Sequence, residues 1–304
     1  MTATPPLSRL LHDFPGLGKS LPGALRSARS TAPILIVGEP GTGRSTLARA
    51  FHQESPRSAG PLIEIDPGAF PSALLEAELF GYRPGAFTGA ERAGAGRVEL
   101  AEGGSLVLDH VEELPLAAQP KLLRLIAEKR FAPLGGPELR ADVRFLAVAA
   151  DDLELRVERG AFRSDLFFRL AVLTFRLPPL RQRREDLPAI LDALLADLGE
   201  RFGRPAALTS EAREWMLAHP WPGNLRQVRN VLERSLVLTE PGRPLAPSAP
   251  QGTAGERPLT LAELERRHIL AVLAFTRGRQ TAAAKILGIS RKALWEKRKR
   301  YGIP

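Results

Sequence analysis

The 304-residue chain contains no cysteine. That excludes a disulfide scaffold, a thiolate zinc site and a cysteine nucleophile, and it leaves the compartment open. Long apolar runs are also missing. Stretches such as Ala32–Val37 and Phe145–Ala150 fall far short of the ~18 residues that a membrane span needs. Pro5, Pro6, Arg9, His12 and Asp13 stand where a secretory signal would need unbroken apolar character. The five histidines are scattered, with no HxxxH pair, so they point to no metal site. No internal repeat is visible. The sequence reads as that of a soluble, cytoplasmic protein with no membrane partner. What is present is ordinary globular composition, 44% hydrophobic and 25% charged, in a length that suits about two domains and a small third.

Charge is unevenly placed. The net charge is +9, and the stretch from Pro258 to Pro304 holds eleven basic and three acidic residues, so the rest is close to neutral. A basic tail on a neutral body points to an acidic partner, with nucleic acid first among the candidates. Glu240–Pro258, EPGRPLAPSAPQGTAGERP, has no apolar periodicity and reads as a linker. Ahead of it, Ile34–Val37, Leu62–Ile65, Leu106–Leu108 and Phe145–Ala149 read as buried strands followed by turn or helix signals, the pattern of an α/β fold with a parallel sheet. After about Phe175 the strand-like runs stop. Leu187–Phe202, Ser210–Ala218 and Asn224–Leu238 have helical spacing. The expected layout is an α/β core over 1–174, a helical subdomain over 175–240, a linker over 241–257 and a basic module over 258–304.

Gly38-Glu-Pro-Gly-Thr-Gly43-Arg44-Ser45 follows the strand ILIV and precedes the helical TLARAFH. Glycines allow close backbone approach, and the N–H groups at a helix start cradle phosphates. The pattern is GxxxxGK[ST] with Arg44 at the lysine position. ATP is the expected ligand, with Gly38, Glu39, Gly41, Thr42, Gly43, Arg44, Ser45 and Thr46 as its candidate contacts. Arginine keeps the charge but is larger and planar, so a loop shaped for lysine is expected to displace it from the β/γ-phosphates. Leu106–Leu108 runs into Asp109. In P-loop ATPases such an aspartate, with the loop hydroxyl, here Ser45, holds Mg²⁺, and a following glutamate orients the attacking water. His110 stands in that glutamate position; a neutral imidazole can accept a proton, with different reach and charge.

Glu78–Ala90, ELFGYRPGAFTGA, is a glycine-punctuated loop with the apolar tip Phe87. With this stretch the sequence resembles the bacterial enhancer-binding proteins, AAA+ ATPases that activate sigma-54 RNA polymerase. GAFTGA is their signature. GGSLVLDHVEELPLAAQPKLLR, GAFRSDLFFRL, LPPLRQRREDLPAI and WPGNLRQVRN match as well, and the resemblance runs from about Leu17 to Pro304. It implies an AAA+ core with a helical lid. It implies that Phe87 and Thr88 contact sigma-54, that Arg163 and Arg169 are arginine fingers acting across subunits of a hexameric ring, and that Arg226 reaches the nucleotide from the lid. About 30 residues precede the first strand, too few for a receiver domain, so no N-terminal regulatory domain is expected.

The departures from the family cluster at the hydrolytic centre. Besides Arg44 and His110, Asp66 takes the place of the asparagine that links the catalytic glutamate to nucleotide state. Ala149 and Ala150 take the place of the sensor I threonine and asparagine. Losing several positioning and charge-stabilising groups together predicts strongly impaired hydrolysis with nucleotide binding retained. The alternative is useful turnover through rearranged chemistry.

In the basic module, Leu261–Phe275 and Gln280–Leu287 read as helices, Gly288 suits a helix end, and Ser290 is an N-cap for Arg291–Tyr301. The stretch from Gly278 to Ile303 resembles the Fis-type helix-turn-helix. Ser290, Arg291 and Lys292 are candidates for base edges or phosphates. Lys297 and Arg298, with Lys299 and Arg300, are candidates for phosphates of double-stranded DNA. Fis-type modules dimerise, so the implied self-association runs from a dimer to a ring. Two functions follow: an ATP-driven sigma-54 activator, or a DNA-binding, ATP-binding but hydrolysis-deficient regulator that modulates an active relative.

Overall fold

The computed structural model describes residues 5–247 and, beyond them, 265–266, 269–270, 272–273, 276, 280–301 and 303. The chain divides into two compact units, 1–247 and 248–304.

The first unit is built on a five-stranded parallel sheet. Its strands are β1 (Ile34–Gly38), β2 (Leu62–Ile65), β3 (Ser105–Leu108), β6 (Arg144–Ala149) and β7 (Leu173–Leu177), in the order β2-β3-β6-β1-β7. A two-stranded antiparallel ribbon, β4 (Arg130–Phe131) with β5 (Leu139–Arg140), stands apart from it. The sheet is covered on both faces, and successive residues alternate between two cores. On one side lie Leu35, Val37, Leu106, Leu108, Phe145 and Ala147. On the other lie Ile34, Ile36, Val107, Leu146 and Val148, under the helix Arg44–Gln53 and the N-terminal helices. Burial on both faces is why β1, β3 and β6 are apolar runs, whereas β2, expected to be buried, is half-buried over Leu62–Glu64 because it lies at the sheet edge.

β7 escaped the sequence reading. It lies at the sheet edge, where only Phe175 and Leu177 are buried while Thr174 and Arg176 face water. It straddles the expected boundary at 174/175, so the sheet continues to Leu177.

The three lid helices span Leu187–Phe202, Ser210–Ala218 and Asn224–Leu238. They pack around Trp221, which is fully buried and donates Nε1–H to the Met216 carbonyl at 2.8 Å. Part of the expected linker belongs here too. Leu245 is buried against the lid and pairs with the strand-like segment at Leu208, bonding to Ala207 and Thr209.

In the second unit, the helices Gln280–Leu287 and Arg291–Arg300 are joined through Gly288, whose φ of +65° favours glycine. Ile269, Val272, Leu273, Ala283, Ala284, Leu294 and Ile303 form its core. Much of the expected helix Leu261–Phe275 lies outside the described residues; Glu265, Arg266, Ile269, Leu270, Val272 and Leu273 within it are helical.

Candidate functional site

Parallel strands deliver their C-terminal ends to one edge of the sheet, the usual place for a ligand in such folds. Here β1 ends in the glycine loop, β2 leads to Asp66, β3 to Asp109 and His110, and β6 to the Ala149–Ala150 peptide.

The glycine loop runs from Gly38 into the helix Arg44–Gln53, with φ of +79° at Gly41 and +103° at Gly43. Gly41 is pressed against the lid: a Cβ there would lie 2.6 Å from the Gly223 carbonyl oxygen. The Arg226 N–H donates to the Gly41 carbonyl at 3.3 Å. Asn224, fully buried at the start of the last lid helix, accepts the Leu180 N–H at 2.8 Å and donates to Glu39 and Pro40, both at 3.2 Å. Arg181 grips Glu39 with two bonds of 2.8 and 2.6 Å, and these hold the Glu39 carboxyl below the usual carboxylate range. The Thr42 hydroxyl donates to the Glu39 carbonyl at 2.8 Å. The side chains of Glu39 and Thr42, both candidate ligand contacts, are thus engaged in bracing the loop.

Between loop and lid lies a cavity of about 410 Å³. Its polar lining is Thr42, Thr46, Arg183, Arg226 and Arg229, beside Gly43, and Phe14, Leu17, Ile190 and Leu194 contribute apolar walls. A cleft that is mostly apolar, with a few convergent polar groups, suits a small organic ligand with a charged tail. The apolar wall was missed in the sequence, because its residues come from segments far apart and share no motif.

Ser45 donates its hydroxyl to Asp109 Oδ2 at 2.7 Å. Both are hard oxygen donors, the chemistry Mg²⁺ takes. His110 follows with a left-handed backbone, φ +52°, and its N–H donates to Asp109 Oδ1 at 3.1 Å. Its Nδ1 lies 3.1 Å from Asp66 Oδ2. The β2–β3 register, Ile65 opposite Leu108, brings the two side chains together. A carboxylate partner fixes the proton on Nδ1 and leaves Nε2 as the acceptor.

Arg44 does not face open loop. It is 5% exposed, and its Nη1 donates to the Gly38 carbonyl at 2.9 Å and to the Ala149 carbonyl. Its charged group is spent on the ends of β1 and β6. Neither Ala149 nor Ala150 offers a polar side chain, but the Ala150 N–H donates to Glu112 Oε1 at 3.1 Å. Glu112 is buried, and burial pushes its carboxyl up; the Glu112 and Ala150 N–H groups and the Arg44 charge partly counter this. The sequence reading passed over Glu112, which looks there like one acid in a solvated turn.

Arg163 and Arg169 do not line this cavity. Arg163 is exposed and forked onto Asp165 at 3.0 and 2.8 Å, and Arg169 borders a separate shallow cavity with Asp165 and Glu128. Phe87 and Thr88 are exposed at the tip of a loop closed by the Gly85 N–H donating to the Ala90 carbonyl at 2.9 Å. The Phe87 ring rests on Tyr82, centroids 5.0 Å apart, and is still 41% exposed.

In the second unit, Arg291 and Lys292 are exposed at the start of their helix. The Ser290 hydroxyl is taken by its cap bond from the Ala293 N–H at 3.1 Å. Lys297 donates to Glu265 at 2.5 Å, a carboxylate shared with the Tyr301 hydroxyl, so both Ser290 and Lys297 have structural partners. Arg298 is half-buried. Among the described residues, no helix is long and apolar enough to cross a membrane.

Three family models match the chain: the sigma-54 interaction domain over residues 15–176, the AAA+ ATPase lid domain over 181–249, and the bacterial regulatory protein, Fis family, over 260–301. The alginate biosynthesis transcriptional regulatory protein AlgB of Pseudomonas aeruginosa is 43% identical over 299 residues, which are 95% of this chain and 66% of AlgB. The Nif-specific regulatory protein of Azotobacter vinelandii is 38% identical over 282 residues, 87% of this chain and 53% of that protein. The chain thus spans under two thirds of the length of these relatives. Among solved structures, NtrX from Brucella abortus superposes with a TM-score of 0.73 at 31% identity, covering 97% of this chain and 71% of that one. NtrX in complex with ATP superposes at 0.69, covering 95% and 68%.

Proposed function

Because this chain belongs to the sigma-54-dependent transcriptional activators, with an AAA+ parallel-sheet core, lid and Fis-type helix-turn-helix, we propose that it binds ATP between glycine loop and lid. In this reading it assembles with copies of itself and presses the Phe87–Thr88 tip on sigma-54 RNA polymerase while the Fis-type module holds double-stranded DNA. The observation that carries the reading is the loop–lid cavity. It brings Thr42, Gly43, Thr46 and Arg226 together with apolar side chains around a space of a size that suits a nucleoside.

The backbone of Gly41–Ser45 cradles the phosphates, Arg226 approaches from the lid, and Ser45 with Asp109 would hold Mg²⁺, which neutralises phosphate charge. His110, oriented through Nδ1 by Asp66, offers Nε2 to the proton of an attacking water. Arg163 and Arg169 serve a neighbouring subunit as fingers. The domain limits follow the expected layout, with the core extended through β7 and the lid through Leu245.

The orientation of Arg44 favours a second reading, an ATP-binding regulator that hydrolyses slowly or not at all. Its charge sits on two carbonyls instead of on open loop. Steady-state ATP turnover and ATP affinity of the purified protein, with and without DNA, separate the two. Turnover abolished by Asp109→Ala supports the first reading; binding without turnover supports the second. No affinity for ATP refutes both. Phe87→Ala tests the tip: its ring packs on Tyr82 and is 41% exposed, so folding should survive while sigma-54-dependent transcription is lost. Unchanged promoter output would refute the assigned contact.

A further inference from the structure

The bond between Ala149 and Ala150 is held from both sides. Its carbonyl oxygen accepts from Arg44 Nη1, and its N–H donates to Glu112 Oε1 at 3.1 Å. These two groups belong to one planar peptide unit, so one rigid amide stands between a cation and an anion. Both charged side chains are nearly sealed from water, Arg44 at 5% and Glu112 at 6% exposure. Glu112 Oε2 is buried with no hydrogen-bond partner among the described residues. A buried carboxylate with one idle oxygen is costly unless a nearby charge offsets it. The Arg44 charge acts on it. Glu112 is further anchored through its own carbonyl, which accepts from Arg156 Nη1 at 3.0 Å.

The peptide sits where a nucleotide-dependent contact would matter. It ends β6, the strand between β3, which carries Asp109, and β1, which carries the glycine loop. The same Arg44 nitrogen also holds the Gly38 carbonyl at 2.9 Å, so the guanidinium ties the ends of β1 and β6 together.

We propose that Glu112 is a positioning residue that, through the Ala149–Ala150 peptide, pairs with Arg44 and holds its guanidinium away from the phosphate site. The clasp uses the main chain at the two positions where Ala149 and Ala150 supply no polar side chain. It makes Arg44 and Glu112 a coupled pair, so Arg44→Ala alone would leave a buried carboxylate without its counter-charge. Triphosphate must compete with Glu112 and two carbonyls for Arg44. The ligand part of this inference rests on the nucleotide reading above; the coupling of the two side chains does not.

The test is a double-mutant cycle on the full chain, read first by thermal melting without nucleotide. Glu112→Gln keeps the acceptor for Ala150 and removes the charge. In the Arg44 chain it should lower the melting temperature. In the Arg44→Ala chain it should raise it, by about 2 °C or more, because it removes an unpaired buried carboxylate. Equal shifts in both backgrounds overturn the pairing. Should E112Q alone fail to fold, the comparison of R44A with R44A/E112Q still decides, since the double variant must melt higher.

The second readout is titration calorimetry with ATP and with ADP in EDTA, which prevents turnover. E112Q should tighten ATP relative to ADP by about tenfold, the worth of one charge-assisted hydrogen bond, and only where Arg44 is present. An unchanged ratio, or the same change in the R44A chain, overturns the inference. If the unaltered protein binds neither nucleotide, the nucleotide reading fails and the melting cycle alone judges the clasp.

Discussion

Asn224 is the residue whose removal should most clearly part the lid from the glycine loop. It is fully buried and sits at φ +53°, a backbone region that asparagine tolerates and alanine does not. In Asn224→Ala the Leu180 N–H, now bonded at 2.8 Å, is left buried without an acceptor, at a cost of about 1–3 kcal/mol. The left-handed backbone costs alanine about 1–2 kcal/mol. The donors to Glu39 and Pro40, both at 3.2 Å, are lost as well, though Glu39 keeps Arg181. Losing these two longer bonds adds about 1 kcal/mol. The sum is about 3–6 kcal/mol, at the upper end for a single substitution. For a unit of this size that lowers the melting temperature by about 10 °C. Circular dichroism during heating measures it. Asn224→Gly loses the same bonds without the backbone strain and should melt a few degrees above the alanine variant. An alanine variant that melts within about 1 °C of the parent, or a glycine variant that melts below the alanine variant, would refute the reasoning.

Gly41→Ala should weaken ATP binding at least about tenfold, since a Cβ at φ +79° meets the Gly223 carbonyl at 2.6 Å and forces loop and lid apart; an unchanged calorimetric affinity would contradict this. His52 and His219 are both held below the usual histidine value by burial, His52 also by the Arg144 charge. The unfolded chain therefore takes up their protons first, and stability present at neutral pH should be lost as pH falls below about 6.5. Melting at pH 7.5 and 5.5 checks the sign, and a higher melting temperature at pH 5.5 would reverse it. Arg291→Ala and Lys292→Ala should each weaken DNA binding; a loss that is uniform across sequences, with the salt slope reduced by about one, identifies a phosphate contact. Fluorescence anisotropy at several salt concentrations reads this out, and unaltered binding in both variants would remove the helix start from the interface.

How much of this was legible in the sequence depended on how burial writes itself into a chain. β1, β3 and β6 are covered on both faces, so they stand out as apolar runs, and the lid helices Leu187–Phe202 and Asn224–Leu238 carry one apolar stripe each. β7 is an edge strand with Arg176 in its middle, and its short alternation was lost among the loops around it. Leu245 looked like linker because the surface that buries it belongs to the lid. The motif residues were found because phosphate chemistry demands glycines, a hydroxyl and a carboxylate in fixed order.

The sequence alone determined the class of the molecule. An apolar strand, a glycine loop, an acidic strand end and a basic two-helix ending each follow from local spacing. Tertiary structure decided what the altered residues do. Arg44 meets Ala149 from 105 positions away, Asp66 meets His110 because β2 pairs with β3 in one register, and Glu112 meets the Ala150 N–H at the end of β6. Local pattern fixes which chemical groups a chain owns. Whether a charge reaches a ligand or is consumed by a neighbouring carbonyl depends on contacts between segments distant in sequence, and those exist only once the sheet has formed.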